Sequence, residues 1–160
     1  MPKFKWSWTK GAVALFLVIL LCALVAERAD ARPVVSLGHT ALNSHNTVGE
    51  IGWQFGSAHQ WEVAATAIGQ GHTDRGRIDR NWVYSISRRV QPGWSILGAE
   101  NYYRLGVAYV DGSPLVGDIN YRLGAGLQWS VVALEYFHYS SAGINDPNTG
   151  IDGIQVRVPF

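Results

Sequence analysis

The chain has 160 residues, with 13 Lys+Arg, 12 Asp+Glu and a single Cys. That near-balance of charge leaves no electrostatic case for nucleic-acid binding, and one cysteine excludes a disulfide framework or a cysteine-based metal site. The length is that of one domain.

The N-terminal segment opens with Lys3, Lys5 and Lys10, runs apolar from Gly11 to Ala26, and closes on Ala29-Asp30-Ala31. A basic start, an apolar middle and an A-x-A end predict a secretory signal peptide over residues 1–31. The apolar run is short for a membrane span of ~20 residues. Leu21 stands before Cys22, where lipoprotein signals need a small residue, so lipidation is not expected. Cleavage after Ala31 removes four basic and two acidic residues, leaving a formal charge of −1 and neither Lys nor Cys.

Beyond residue 31 helix signals are nearly absent. Aromatic and β-branched residues alternate with small or polar ones, and Gly, Asn, Asp and Pro interrupt them, which is the strand pattern. Eight strands are predicted, at about 33–42, 47–57, 60–71, 79–90, 100–111, 117–128, 130–141 and 150–160. In the sixth, Ile119, Tyr121, Leu123, Ala125, Leu127 and Trp129 share one face, while Asn120, Arg122, Gly124, Gly126 and Gln128 share the other. In the second, Ile51, Trp53 and Phe55 oppose Glu50, Gly52 and Gln54; in the fourth, Trp82, Tyr84 and Ile86 lie together.

Such alternation fits a soluble sandwich or a membrane barrel. Four features select the barrel. The segments approach the ~10 residues a tilted strand needs to cross a bilayer. Aromatic residues sit near segment ends, where interfacial girdles lie. Small residues recur on the polar face, as in a narrow, filled lumen. The chain also ends on a strand, with Ile154, Val156, Val158 and Phe160 alternating to an aromatic terminus like that of bacterial outer-membrane proteins. The predicted fold is therefore all-β: an eight-stranded antiparallel outer-membrane β-barrel over residues 32–160. With both termini periplasmic, the outward loops are NSHN, HTDRGRI, DGSPLV and AGINDPNT. The periplasmic turns are SAH, RVQPGWSIL and a tight one near Trp129; the second is long for its kind.

The stretch EYFHYSSAGINDPNTGID, residues 135–152, holds the parts of a serine hydrolase. His138 and Ser140 are two apart on a strand and share a face with Leu134 and Tyr136, the lipid face. Asp152 aligns with Ile154, Val156 and Val158 on the lipid face of the last strand, whereas Glu135 faces the lumen. Ser, His and a carboxylate thus meet outside the barrel near its rim. There, uncompensated charge costs ~2–4 kcal/mol at the midplane and less toward the interface. A hydrolase acting on a lipid needs this placement: Ser attacks, His takes its proton, and the carboxylate orients the imidazole.

This stretch resembles the C-terminal motif of the lipid A 3-O-deacylase (PagL-type) family, most clearly from about Arg122 to Phe160. The resemblance implies an eight-stranded outer-membrane barrel that hydrolyses the ester-linked acyl chain at the 3-position of lipid A. It implies His138 as base, Ser140 as nucleophile, Asp152 where the family usually has a Glu, and Asn148 as the loop Asn of the oxyanion region. Ser141 stands where an Asn normally follows the nucleophile, so a backbone N–H or its hydroxyl replaces an amide donor. Asp152, one methylene shorter than Glu, reaches His138 through a small shift of the last strand.

No cofactor or metal is expected. His39, His45, His59 and His72 read as rim histidines with no close metal pair among them, and Asp74, Arg75, Arg77, Asp79 and Arg80 as a solvated charged loop. The expected partners are lipid A or lipopolysaccharide, outer-membrane lipid and a second copy of the chain, with the active site facing the outer leaflet. The competing readings are a non-catalytic structural or adhesion barrel and a lipid acyltransferase.

Overall fold

The structure, a computed structural model, describes residues 31–42, 44–73, 76–111, 116–144 and 150–160. Apart from Ala31, the predicted signal segment lies outside the described residues, as do Asp74, Arg75 and Asn148.

Eight long strands form: β1 (Arg32–Ala41), β2 (Thr47–Phe55), β3 (Trp61–Ile68), β4 (Asn81–Val90), β5 (Ala99–Asp111), β6 (Ile119–Gln128), β7 (Ala133–Ser140) and β8 (Ile151–Pro159). Each pairs antiparallel with its neighbours in sequence, and β1 pairs with β8, so the sheet closes on itself. Val35 faces Val158 and Leu37 faces Val156 across the closing seam. A closed sheet leaves no edge of unpaired N–H and C=O groups, the condition for strands in lipid.

Each predicted segment contains one strand, and the differences lie at the ends. The seventh starts at Ala133 because Trp129 N–H bonds Val132 O at 2.8 Å in a tight turn. The long connection after β4 has a structure of its own. A short strand, Ser95–Ile96, folds back on Ala99 and Glu100. Leu97 and Gly98 between them have φ of 51° and 74°. Positive φ at both central residues is the type I′ hairpin pattern, whose twist matches that of the flanking strands. On the opposite end, Gly71–Thr73 pairs with Gly76–Ile78 as a separate hairpin.

Alternation sorts the side chains by face. Outward lie Val35, Leu37, Ile51, Ile86, Leu105, Val107, Leu123, Leu134, Ile154 and Val156, all exposed. An apolar exterior this continuous has lipid as its solvent. Two aromatic levels bound it. Trp53, Trp61 and Trp94 lie toward the end that carries the chain termini, and Trp82, Tyr109 and Tyr121 toward the other.

The lumen is filled in two layers. Toward the end away from the termini, Val48, Ile68, Val83, Ala108, Val110, Val116, Phe137, Tyr139 and Ile151 form an apolar plug. Beneath it Glu50, Glu62 and Glu135 meet Arg104, Arg122 and Arg157, all buried. Arg104 reaches Glu62 at 2.6 Å and Glu135 at 3.0 Å; Arg157 reaches the same two at 2.6 Å each. Arg122 lies 3.0 Å from Glu135 and 3.2 Å from Glu50. Buried charges are tolerated only when paired and hydrogen-bonded, and three carboxylates against three guanidinium groups meet that condition. Gly126 on β6 leaves the space that the Tyr102 ring occupies, and the Tyr102 hydroxyl donates to Glu135 at 2.9 Å.

Candidate active site

The site lies on β7 and the start of β8, on the outward face and at the end away from the termini. On β7, Glu135, Phe137 and Tyr139 point inward and are buried, whereas Leu134, Tyr136, His138 and Ser140 point outward. The inward residues hold the strand rigidly: Glu135 takes all three arginines, and the Tyr139 hydroxyl accepts from Arg122 at 2.5 Å. The outward residues are positioned by this anchoring, because rotating the strand would break the inner contacts.

Cross-strand register decides which carboxylate meets the imidazole. His138 lies directly opposite Asp152 in the β7–β8 ladder. Directly opposed side chains have Cβ atoms only about 5 Å apart, so a short carboxylate spans the gap. His138 Nδ1 is 2.7 Å from Asp152 Oδ1. The directly opposed register brings the shorter carboxylate within reach of the imidazole.

Asp152 departs from expectation in one way. Its position gives it the outward parity of Ile154 and Val156, yet it is only 5% exposed. His138 covers it from across the ladder, and Tyr136, one outward position further along β7, donates its hydroxyl to the same Oδ1. The carboxylate is therefore screened from lipid and holds two hydrogen bonds on one oxygen. A carboxylate accepts here, so the imidazole N–H in this contact is on Nδ1, the tautomer that in a neutral ring leaves Nε2 as the acceptor.

Ser140 pairs in register with Tyr121 of the aromatic level on β6. Its neighbours form a tight turn in which Ile144 N–H bonds Ser141 O at 2.9 Å, with φ of 47° at Ala142 and 84° at Gly143. Left-handed φ at a non-glycine residue is strained and is kept only where the surroundings hold it. Here it aims the Ala142 N–H at Ser140 Oγ, 3.2 Å away. Ser141 is wholly buried, so its side chain does not share the exposed face with His138. Asn148 lies outside the described residues.

Gly150 closes the site from the β8 side. Its φ is +65°, and a Cβ there would stand 3.2 Å from His138 Cε1. Neither the Tyr136 hydroxyl, nor the Gly150 approach, nor the Ala142 amide was singled out from sequence. Only Tyr136 left a signal, its shared parity with His138, and there it read as an ordinary lipid-facing aromatic.

The other predicted residues sort as follows. His39 and His45 come together, with ring centroids 6.1 Å apart and planes tilted by 37°, although six residues and a turn separate them. The β1–β2 turn folds His45 back beside the outward-facing His39, in a ring contact. Arg77 pairs with Asp79 at 3.2 Å with both side chains largely exposed, as a solvated loop predicts. Two further arginines, both on β4, differ in exposure: Arg88 is exposed near Trp61, whereas Arg89 is buried over the Tyr102 ring.

Comparison with known proteins bears on the fold and the family. No curated protein sequence matches the chain significantly. Among solved structures, the outer-membrane enzyme PagL matches with a TM-score of 0.55 at 18% identity, covering 81% of this chain and 99% of the other. The outer-membrane protein Ail of Yersinia pestis matches with a TM-score of 0.42 at 15% identity, covering 82% and 100%. At these identities the likeness to PagL speaks for the barrel fold. The family profile described as lipid A 3-O-deacylase (PagL) matches residues 51–160, from the middle of β2 to the C-terminus. The chain belongs to the lipid A 3-O-deacylase (PagL) family.

Proposed function

We propose that Ser140, His138 and Asp152 are the nucleophile, general base and orienting acid with which this outer-membrane lipid A 3-O-deacylase works, from the outer leaflet. The observation that carries this reading is the His138 Nδ1–Asp152 Oδ1 contact of 2.7 Å on the outward face. Ser140 lies on the same strand face, at the level of Tyr121. Aromatic girdles mark the membrane–water interface, and the ester bonds of a lipid lie near that depth.

In this reading the steps run as follows. Ser140 Oγ attacks the carbonyl carbon of the 3-position ester while its proton passes to His138 Nε2. The carbonyl oxygen becomes an oxyanion, and the Ala142 N–H, already directed into the space around Ser140 Oγ, donates to it. Ser141 contributes through its main chain, since its side chain is buried. The family resemblance assigns Asn148 to the oxyanion region as well. Collapse breaks the C–O bond to the sugar, whose 3-oxygen takes the proton from the imidazolium. Water, deprotonated by His138, then attacks the acyl-serine, releasing the 3-hydroxy fatty acid and restoring Ser140 Oγ–H. Asp152 keeps the imidazole in one tautomer and offsets its transient positive charge.

The outward apolar surface below the site, Leu134 on β7, Leu123 on β6 and Ile154 and Val156 on β8, is where acyl chains lie against the barrel. Every residue in this scheme comes from one chain. A long-chain phosphonate that reacts with activated serines tests it. The expected result is a covalent adduct on the peptide carrying Ser140, absent in His138→Ala. An adduct on another serine, or labelling of Ser140 that is unaffected by His138→Ala, contradicts the assignment.

A further inference from the structure

Among the described residues, His138 and Tyr136 both approach Asp152 Oδ1, and only His138 has a place in the scheme above. The second is Tyr136, whose hydroxyl donates to Oδ1, the same oxygen that His138 Nδ1 approaches at 2.7 Å. Tyr136 lies opposite Ile154, one outward position from the His138–Asp152 pair, so the phenol reaches diagonally across the ladder. Its ring is 41% exposed to the lipid side, while the carboxylate beneath is 5% exposed. A phenylalanine would bury as much apolar surface on this face. The hydroxyl is therefore placed for the carboxylate.

We propose that Tyr136 is a positioning residue of the active site, holding Asp152 so that its Oδ1 meets His138 Nδ1 along the ladder. This rests on the catalytic assignment above. A buried carboxylate has little water to satisfy its lone pairs, and an unheld one rotates toward any other donor. With the phenol fixed on one side and the imidazole on the other, Oδ1 has a single place to be. The imidazole lies between Asp152 and the space that the missing side chain of Gly150 leaves, and in this scheme Nε2 accepts the Ser140 proton. Tyr136 touches no reacting atom in this arrangement and acts through Asp152 alone.

The test is a double-mutant cycle on deacylation of a purified lipid A or ester substrate in detergent, with Tyr136→Phe, Asp152→Asn and their combination. Tyr136→Phe removes one oxygen from a lipid-facing ring, so the barrel is expected to keep its folded, heat-modifiable mobility. The expected result is a fall in kcat of about tenfold with KM within about twofold, the effect of losing one charge-assisted hydrogen bond. In the Asp152→Asn background the same change is expected to leave kcat within about twofold of the single variant, because the residue acts through the lost carboxylate. A Tyr136→Phe enzyme with kcat within about twofold of wild type overturns the inference. So does a loss that multiplies with that of Asp152→Asn. Ser140→Ala in the same assay separates the two levels. If it is inactive and Tyr136→Phe is unimpaired, only the positioning role fails; if Ser140→Ala remains active, the catalytic assignment itself fails.

Discussion

Glu135→Gln probes how the lumen supports the site. Glu135 lies 3.0, 3.0 and 2.6 Å from Arg104, Arg122 and Arg157, and it also accepts from Tyr102 and Gln155. Gln keeps the shape and one acceptor but turns the other oxygen into a donor that faces guanidinium donors. It also leaves three buried arginines against Glu50 and Glu62 alone. Removing one partner of a buried ion pair costs about 3–5 kcal/mol. The retained acceptor puts this variant at the lower end, about 3 kcal/mol. For a domain of this size that lowers the unfolding midpoint by about 10 °C. The assay is thermal unfolding of the refolded barrel in micelles, read by circular dichroism and by gel mobility with and without heating. Below the midpoint deacylation is expected to stay within a few-fold of wild type, because Tyr139 and Arg122 still anchor β7. A midpoint change under about 2 °C would refute the reasoning, since pairs worth so little behave as solvated surface pairs.

Three further expectations follow from the site and its surroundings. Asp152→Asn keeps the volume but removes the charge that fixes the His138 tautomer, so kcat is expected to fall about 10³–10⁴-fold with the barrel intact. Gly150→Ala places a Cβ 3.2 Å from His138 Cε1 at a φ of +65°. It is expected to cost about 1 kcal/mol in stability and at least about tenfold in kcat, read by unfolding midpoint and turnover. Arg77→Gln breaks a pair whose side chains are 62% and 77% exposed, so its midpoint is expected to stay within about 2 °C of wild type.

The faces were legible in the sequence because strand parity is strict. Once His138 was placed outward, Ser140 and Tyr136 had to follow it and Glu135 had to point inward. Partners were less legible. Parity put Asp152 on the right face, but which residue of β7 it opposes depends on the register across residues 141–150, which alternation leaves open. The opposed register is what brings Asp152 to His138. The same gap hid the lumen pairing, since Glu50, Glu62, Glu135 and the three arginines were readable as inward residues but not as one network. Tyr136 was read as a lipid-facing aromatic because a hydroxyl's diagonal reach has no sequence signature. His39 and His45 looked separate because the fold-back of the first turn is not written in their spacing. The long connection after β4 is explained by a hairpin that its Ser-Ile-Leu-Gly stretch encodes through positive φ at Leu97 and Gly98.

The most direct test of the catalytic assignment is the mass of lipid A from a Gram-negative host expressing the protein. Wild type is predicted to yield lipid A lighter by one 3-hydroxyacyl chain, with the free 3-hydroxy acid recovered. Ser140→Ala, inserted and folded to the same level, is predicted to leave the lipid A mass unchanged. Lipid A deacylated equally by Ser140→Ala would contradict the account.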